Sequence, residues 1–164
     1  MGKLTVLALR VVIVALFCGA LFFEAVIVPI MIFDKDPGDP PLAQRVAFIV
    51  IFALGLVTAQ VILVCVWRLV TMVHRGTVFS PAAFRWVDIV IGAFVFAALL
   101  TFGFGVALAP GEEVPPGFVL LVGGVGVGVL GVALIVLVLR MLLAQAIARE
   151  AEAARLKSEL EEVI

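Results

Sequence analysis

Two of the apolar segments of this chain carry no charged side chain from end to end, and they constrain the fold more than any other feature. Residues 46–67 and 117–139 provide 22 and 23 such positions. An α-helix needs about 20 mostly apolar residues to cross the hydrocarbon core of a bilayer. A helix also satisfies its own backbone hydrogen bonds, which lipid cannot do. Both segments are therefore predicted to be transmembrane helices.

Two other segments are almost as apolar. Residues 11–33 are interrupted only by Glu24, and residues 86–109 carry Asp88 near their start. The whole chain is 65% hydrophobic and 14% charged, whereas a soluble domain is about half apolar and about a quarter charged. A chain of 164 residues cannot bury this excess, so lipid must cover it. We predict an all-α membrane protein whose four transmembrane helices span about 11–33, 46–67, 86–109 and 117–139.

The last 25 residues, 140–164 (the tail), become polar without any Gly or Pro that would end a helix. We predict a transmembrane domain at 1–139 and, at 140–164, a cytoplasmic amphipathic helix that continues the fourth span. Apolar residues recur there at spacings of four and three, the heptad pattern of a helix that packs on another helix. The members of this tail seam are Leu142, Ala146, Arg149, Ala153, Leu156, Leu160 and Val163.

The charge of the tail bears on what covers this seam. From Arg149 onward there are three basic and five acidic residues. An anionic membrane surface favours the opposite balance. The seam is therefore predicted to meet a partner helix, and the alternative is an apolar stripe on a solvated helix.

Lys and Arg are distributed unequally between the two sides that four spans define. The side holding both termini and the 68–85 connection carries nine of them, and the other side carries two, Lys35 and Arg45. Because cytoplasmic segments are enriched in Lys and Arg, both termini are predicted to be cytoplasmic. The nine are Lys3, Arg10, Arg68, Arg75, Arg85, Arg140, Arg149, Arg155 and Lys157.

Glu24 is the most unusual polar residue, because it lies near the middle of the first span. A carboxylate at that depth is costly unless it is protonated, paired or facing water. Counting from the helix ends places Gln60 within about two turns of the same depth. The pair is interpreted either as a hydrogen bond that holds two helices together or as a proton or ligand site between them.

Asp88 lies near the cytoplasmic edge of the third span, at about the level of four arginines. One acid among several bases predicts a structural clamp, with a regulatory switch as the alternative. The four candidate partners in this ion-pair cluster are Arg10, Arg68, Arg85 and Arg140.

Glycines mark a smooth strip on the fourth span at Gly124, Gly128 and Gly131. In lipid, small residues let helix backbones approach closely. The strip is predicted to pack either against another helix of the same chain or against another subunit.

Other chemistry is not indicated. The chain has one His and a formal net charge of -1, so neither a metal site nor direct nucleic-acid binding is predicted. No catalytic constellation and no cofactor motif is present in the sequence. We therefore expect a protein that is not an enzyme and that needs no cofactor.

Four short motifs resemble a bacterial membrane protein family. They are Val-Trp-Arg-Leu-Val at 66–70, Gly-Thr-Val-Phe-Ser at 76–80, Leu-Arg-Met-Leu-Leu at 139–143 and Leu-Glu-Glu-Val-Ile at 160–164. Over roughly 46–164 the chain resembles the family called domain of unknown function 2975 (DUF2975). The resemblance implies a small multi-pass protein of the bacterial inner membrane without assigned chemistry. Members of this family are often encoded beside a helix-turn-helix regulator, so the resemblance also implies a cytosolic regulator of this kind as a partner.

These features favour a non-enzymatic sensor or scaffold in the bilayer. Its tail is expected to bind either its own copies, in a homo-oligomer, or a helix-turn-helix regulator. A small oligomeric channel or transporter that uses Glu24 and Gln60 is the alternative. The third and fourth spans have almost no polar face, so a pore would rely on the first two.

The predicted topology can be tested with single cysteines in a variant that lacks Cys18 and Cys65. Thr77→Cys is expected to stay unlabelled by an impermeant thiol reagent on intact cells, because its loop is cytoplasmic, and Pro37→Cys is expected to react. The reverse pattern would overturn the topology.

Overall fold

The computed structural model describes residues 3–33, 41–74, 81–109 and 114–163. Within these ranges the chain forms four α-helices and no β-strand. Each helix is long and apolar enough to cross a membrane, as predicted. The helices are α1 (Lys3–Phe33), α2 (Leu42–His74), α3 (Pro81–Leu108) and α4 (Pro116–Val163).

The helices extend beyond the apolar segments, mostly on the side of the termini. Helix α2 continues to His74 and α3 already begins at Pro81. The sequence Ser80-Pro81 predicts this start, because serine is a favourable N-cap and proline suits the first helical position. Apolar composition marks only the part of a helix that lies in hydrocarbon. The polar ends keep the same backbone hydrogen bonds in the interface and in water, so they remain helical. The predicted N-cap, Ser80, lies outside the described residues.

Helix α4 is unbroken over 48 residues. At 1.5 Å per residue its length is about 70 Å, roughly twice what a bilayer core requires. Its side chains are partly buried as far as Ile147, and every residue from 148 to 161 is exposed. The tail therefore continues the fourth span as a single helix that projects beyond the other three.

The four helices form an open bundle arranged as a row in chain order. Helix α1 packs on α2, α2 on α3, and α3 on α4, and the described residues make no contact between helices that are not consecutive. Such a row has a small core, with only Thr58, two glycines and seven apolar residues buried among the described residues. The two outer helices each leave most of their surface for lipid or for another protein.

Small residues bring α3 and α4 together. Ala98 and Gly105 on α3, and Gly126 and Ala133 on α4, are all buried. A Cβ built on Gly126 would lie 3.2 Å from the Phe102 ring, and one on Gly105 would lie 3.6 Å from a methyl group of Val122. Close backbone approach and dispersion contacts hold this pair of helices, as small residues do in membranes.

The predicted glycine strip takes no part in this contact. No atom outside the helix lies within 4 Å of a Cβ placed on Gly124, Gly128 or Gly131. No packing partner for these three glycines is therefore seen among the described residues, and packing against another subunit stays a prediction. Gly126 lies on the opposite side of α4 from Gly124 and Gly128, because a step of two residues rotates a helical position by about 200°.

Arg45 closes the end of the α1–α2 hairpin away from the termini. Its Nε and Nη2 groups donate to the backbone carbonyl of Met31 at 3.0 and 2.6 Å. Met31 belongs to the last turn of α1, where carbonyls have no partner within the helix and the helix dipole is negative. The guanidinium group thus supplies both the missing donors and a favourable charge.

Gly126→Leu is expected to destabilise the chain by about 1–3 kcal/mol, because the new side chain must displace Phe102 from the α3–α4 contact. Gly124→Leu is the matched control, with the same gain in helix propensity but open space around it. Unfolding free energies in mixed micelles, at a dilution that keeps chains apart, measure the difference. Equal effects of the two changes would contradict this packing.

Candidate functional site

Glu24 and Gln60 meet between α1 and α2. The Gln60 amide Nε2 donates to Glu24 Oε2 at 2.9 Å, and both side chains are partly buried. The contact joins residues 36 apart in sequence, near the middle of both spans. In hydrocarbon an unpaired acid is expensive, so a partner on the neighbouring helix lowers the cost of keeping Glu24 at that depth.

The hydroxyl groups at similar depth are used differently. Thr58 Oγ1 donates to the Leu54 carbonyl at 2.6 Å, and Thr101 Oγ1 donates to the Ala97 carbonyl at 2.8 Å. Each hydroxyl thus bonds one turn back on its own helix. The intramembrane polar site consists of Glu24 and Gln60, with no polar chain that leads from it across the membrane among the described contacts.

Asp88 pairs with one of its four candidate arginines. Arg140 Nε lies 2.5 Å from Asp88 Oδ1, and Arg140 Nη2 donates to Asp88 Oδ2 at 2.8 Å. One charge-assisted hydrogen bond and a close ion-pair contact thus join the guanidinium to the carboxylate. The pair joins α3 to α4 where α4 leaves the apolar region, and the Arg140 guanidinium also lies over the Phe84 ring.

The other three arginines do not join an ion-pair cluster. The Arg10 guanidinium lies 5.3 Å from the centre of the Trp67 ring, and that of Arg68 lies 5.6 Å from the centre of the Trp86 ring. Arg85, although three residues before Asp88, is exposed. Asp88 thus pairs with one of the four candidates, Arg140, while two of the others contact the faces of indole rings.

The tail seam is exposed along its described length. Leu142, Leu156 and Leu160 expose 56%, 55% and 65% of their surface, and Ala146 and Ala153 are also exposed. Val163 is the last helical residue, and its side chain lies outside the described set. No described part of the chain covers the seam.

Continuity of α4 places the tail seam and the glycine strip on one face. Eighteen residues make five full turns at 3.6 residues per turn, so positions 18 apart align. Adding 18 to the positions of Gly124, Gly128 and Gly131 gives Leu142, Ala146 and Arg149. We call this side of the helix the outer α4 face.

The side of α4 that packs on α3 lies opposite. Gly126, Ala133, Arg140 and Ile147 recur every seven residues there, and all of them are buried or partly buried. Once the structure identifies Arg140 as the partner of Asp88, counting back in steps of seven leads to Gly126 as the packing glycine.

Four membrane-length helices with a polar pair at mid-depth define a multi-pass integral membrane protein. The family model for "Protein of unknown function (DUF2975)" matches residues 4–164, nearly the whole chain and more than the 46–164 of the motif resemblance. The chain belongs to this family. No curated protein and no solved structure matches it.

Glu24→Gln is expected to keep most of the stability, because an amide still accepts a hydrogen bond from Gln60. Glu24→Leu and Gln60→Leu are each expected to cost more stability than Glu24→Gln, and the coupling between the two sites is expected to be about 0.6 kcal/mol, and about 1.7 kcal/mol at most. A double-mutant cycle in mixed micelles measures the coupling. Strictly additive losses would show that the bond contributes nothing to stability.

Proposed function

We propose that the protein is a non-enzymatic sensor or scaffold of the bacterial inner membrane, with both termini in the cytoplasm, and that it binds through the outer α4 face. The observation that carries the proposal is the exposure of the tail leucines beyond the end of the bundle. Lipid already covers an apolar side chain within a span, so that side chain gains little from burial against a partner. Leu156 and Leu160 project past the spans, where water replaces lipid, so their burial is favourable.

The partner that best fits the whole face is a second copy of the chain. The outer face begins as a glycine strip within the span and continues as the tail seam. A single partner that covers both parts needs a transmembrane helix that continues, in the same direction as α4, into a cytoplasmic helix. A second α4 has both, whereas a soluble helix-turn-helix regulator would cover the tail alone.

Charges beside the tail seam suit a parallel pair of tails. Glu152 comes directly before the seam position Ala153, and Lys157 comes directly after the next seam position, Leu156. These are the g and e positions that pair between parallel helices. Arg149 within the seam lowers the stability of such a pair, which suits a contact that a regulator can displace.

A channel or transporter is the second function considered. The polar contact that would serve it is the Glu24–Gln60 pair. The described helices form a row with no contact between α1 and α4, so one chain encloses no central pore. A channel would need several copies, with α1 and α2 lining it.

The double change Leu156→Glu with Leu160→Glu is expected to weaken association of the tails at least tenfold. Burial of each leucine is worth about 1.5–3 kcal/mol, and about 1.4 kcal/mol is a factor of ten. Mass determination of full-length protein in nanodiscs over a dilution series measures the change.

The matched control is Ala151→Glu with Ser158→Glu, which adds the same charge on the far side of the tail. A lower oligomer number in the leucine variant alone supports pairing of like subunits. An unchanged number with loss of a bound regulator assigns the seam to that regulator. If neither changes, the seam is an apolar stripe on a solvated helix and the proposal fails.

A further inference from the structure

Arg10 and Arg68, on the side of the termini, have no acidic partner among the residues that the structure describes. Asp88 is engaged by Arg140, and no described carboxylate lies within 4 Å of the guanidinium group of Arg10 or Arg68. Arg10 Nε is buried by the surrounding side chains and donates to no acceptor in the described structure. A buried donor without an acceptor costs free energy, so an acceptor from outside the chain would stabilise this arrangement.

The same two arginines line adjoining grooves. A groove of about 260 Å³ between α1 and α2 is lined by Arg68, Trp67 and apolar side chains that include Ile13 and Phe17. A second groove, of about 420 Å³, contains Arg10 and shares Trp67 with the first. The two arginines therefore line neighbouring grooves that meet at Trp67, at one end of the α1–α2 interface, and each guanidinium group lies over the ring of a different tryptophan.

The groove continues toward the middle of the membrane. Phe17 and Val64 line both the first groove and a third one, of about 310 Å³, that reaches Gln60. Gln60 lies eight residues from Arg68, or about 12 Å along the helix. Half of a hydrocarbon core is about 15 Å thick. The apolar part of the groove, from Arg68 to Gln60 (the apolar track), is therefore about as deep as one acyl chain extends below its headgroup.

We propose that this α1–α2 groove is a binding site for an anionic phospholipid from the leaflet on the side of the termini. The phosphate accepts hydrogen bonds from Arg10 and Arg68, and one acyl chain lies along Phe17 and Val64 toward Gln60. Guanidinium groups suit phosphate because they are weakly hydrated and present several donors in one plane. Basic pockets between transmembrane helices recognise anionic headgroups in this way.

The test compares phosphatidylglycerol with phosphatidylcholine on the purified full-length protein. Native mass spectrometry from detergent counts bound lipid, and brominated acyl chains report contact through quenching of Trp67 and Trp86. Both lipids offer a phosphate to the arginines, but phosphatidylcholine also brings a cationic choline group beside two positive charges, so phosphatidylglycerol is expected to bind at least tenfold more tightly. Equal binding of the two lipids by the unaltered protein would overturn the site.

Two variants distinguish lipid binding in this groove from non-specific attraction of anionic lipid by positive surface charge. Arg10→Gln with Arg68→Gln is expected to abolish the tenfold preference and to reduce quenching, whereas Arg85→Gln removes an exposed arginine and should change neither. Circular dichroism and the mass in nanodiscs show whether each variant folds. Equal losses in the double variant and in Arg85→Gln would show only non-specific attraction, which contradicts the proposal.

A soluble phosphate is the other source of the same chemistry. Inorganic phosphate added at millimolar concentration is expected to leave bound phosphatidylglycerol in place, because it cannot fill the apolar track. Displacement by inorganic phosphate would assign the arginines to a soluble anion and overturn the lipid site.

Discussion

Hydrocarbon offers no hydrogen-bond partners, and this constraint determines most of the molecule. Every backbone amide inside the bilayer must be satisfied within the chain, so each crossing is a helix. The same constraint restricts polar side chains. Glu24 is matched by Gln60 on the next helix, and Thr58 and Thr101 bond their own backbones. Polar contacts between helices are few, and the ones present connect consecutive elements.

Within that limit, neighbouring helices are joined by different means at different depths. Arg45 caps α1 near one membrane surface, the Glu24–Gln60 bond lies at mid-depth, and the Asp88–Arg140 pair lies near the other surface. Between α3 and α4 the hydrocarbon part relies on close backbone approach around Gly126. Packing is strong only between consecutive helices, which leaves the far side of α4 available.

The sequence predicted the features that depend on length and depth. Run length identified four spans, Pro81 marked a helix start, and counting residues placed Glu24 near Gln60. It did not predict how each helix is rotated about its own axis. A soluble helix shows this by its apolar stripe, but a span is apolar on every side. Gly124 and Gly126 therefore look alike in sequence, and four arginines at one depth were equal candidates for Asp88.

Because α4 is one unbroken helix, a movement of its bilayer part also moves the tail. Its bilayer part is held by α3 alone, and the 24 residues from Arg140 to Val163 extend about 36 Å further as a rigid arm. A change in bilayer thickness alters the tilt of a span. A tilt of about 10° around the Asp88–Arg140 contact would swing the tip of the arm by about 6 Å.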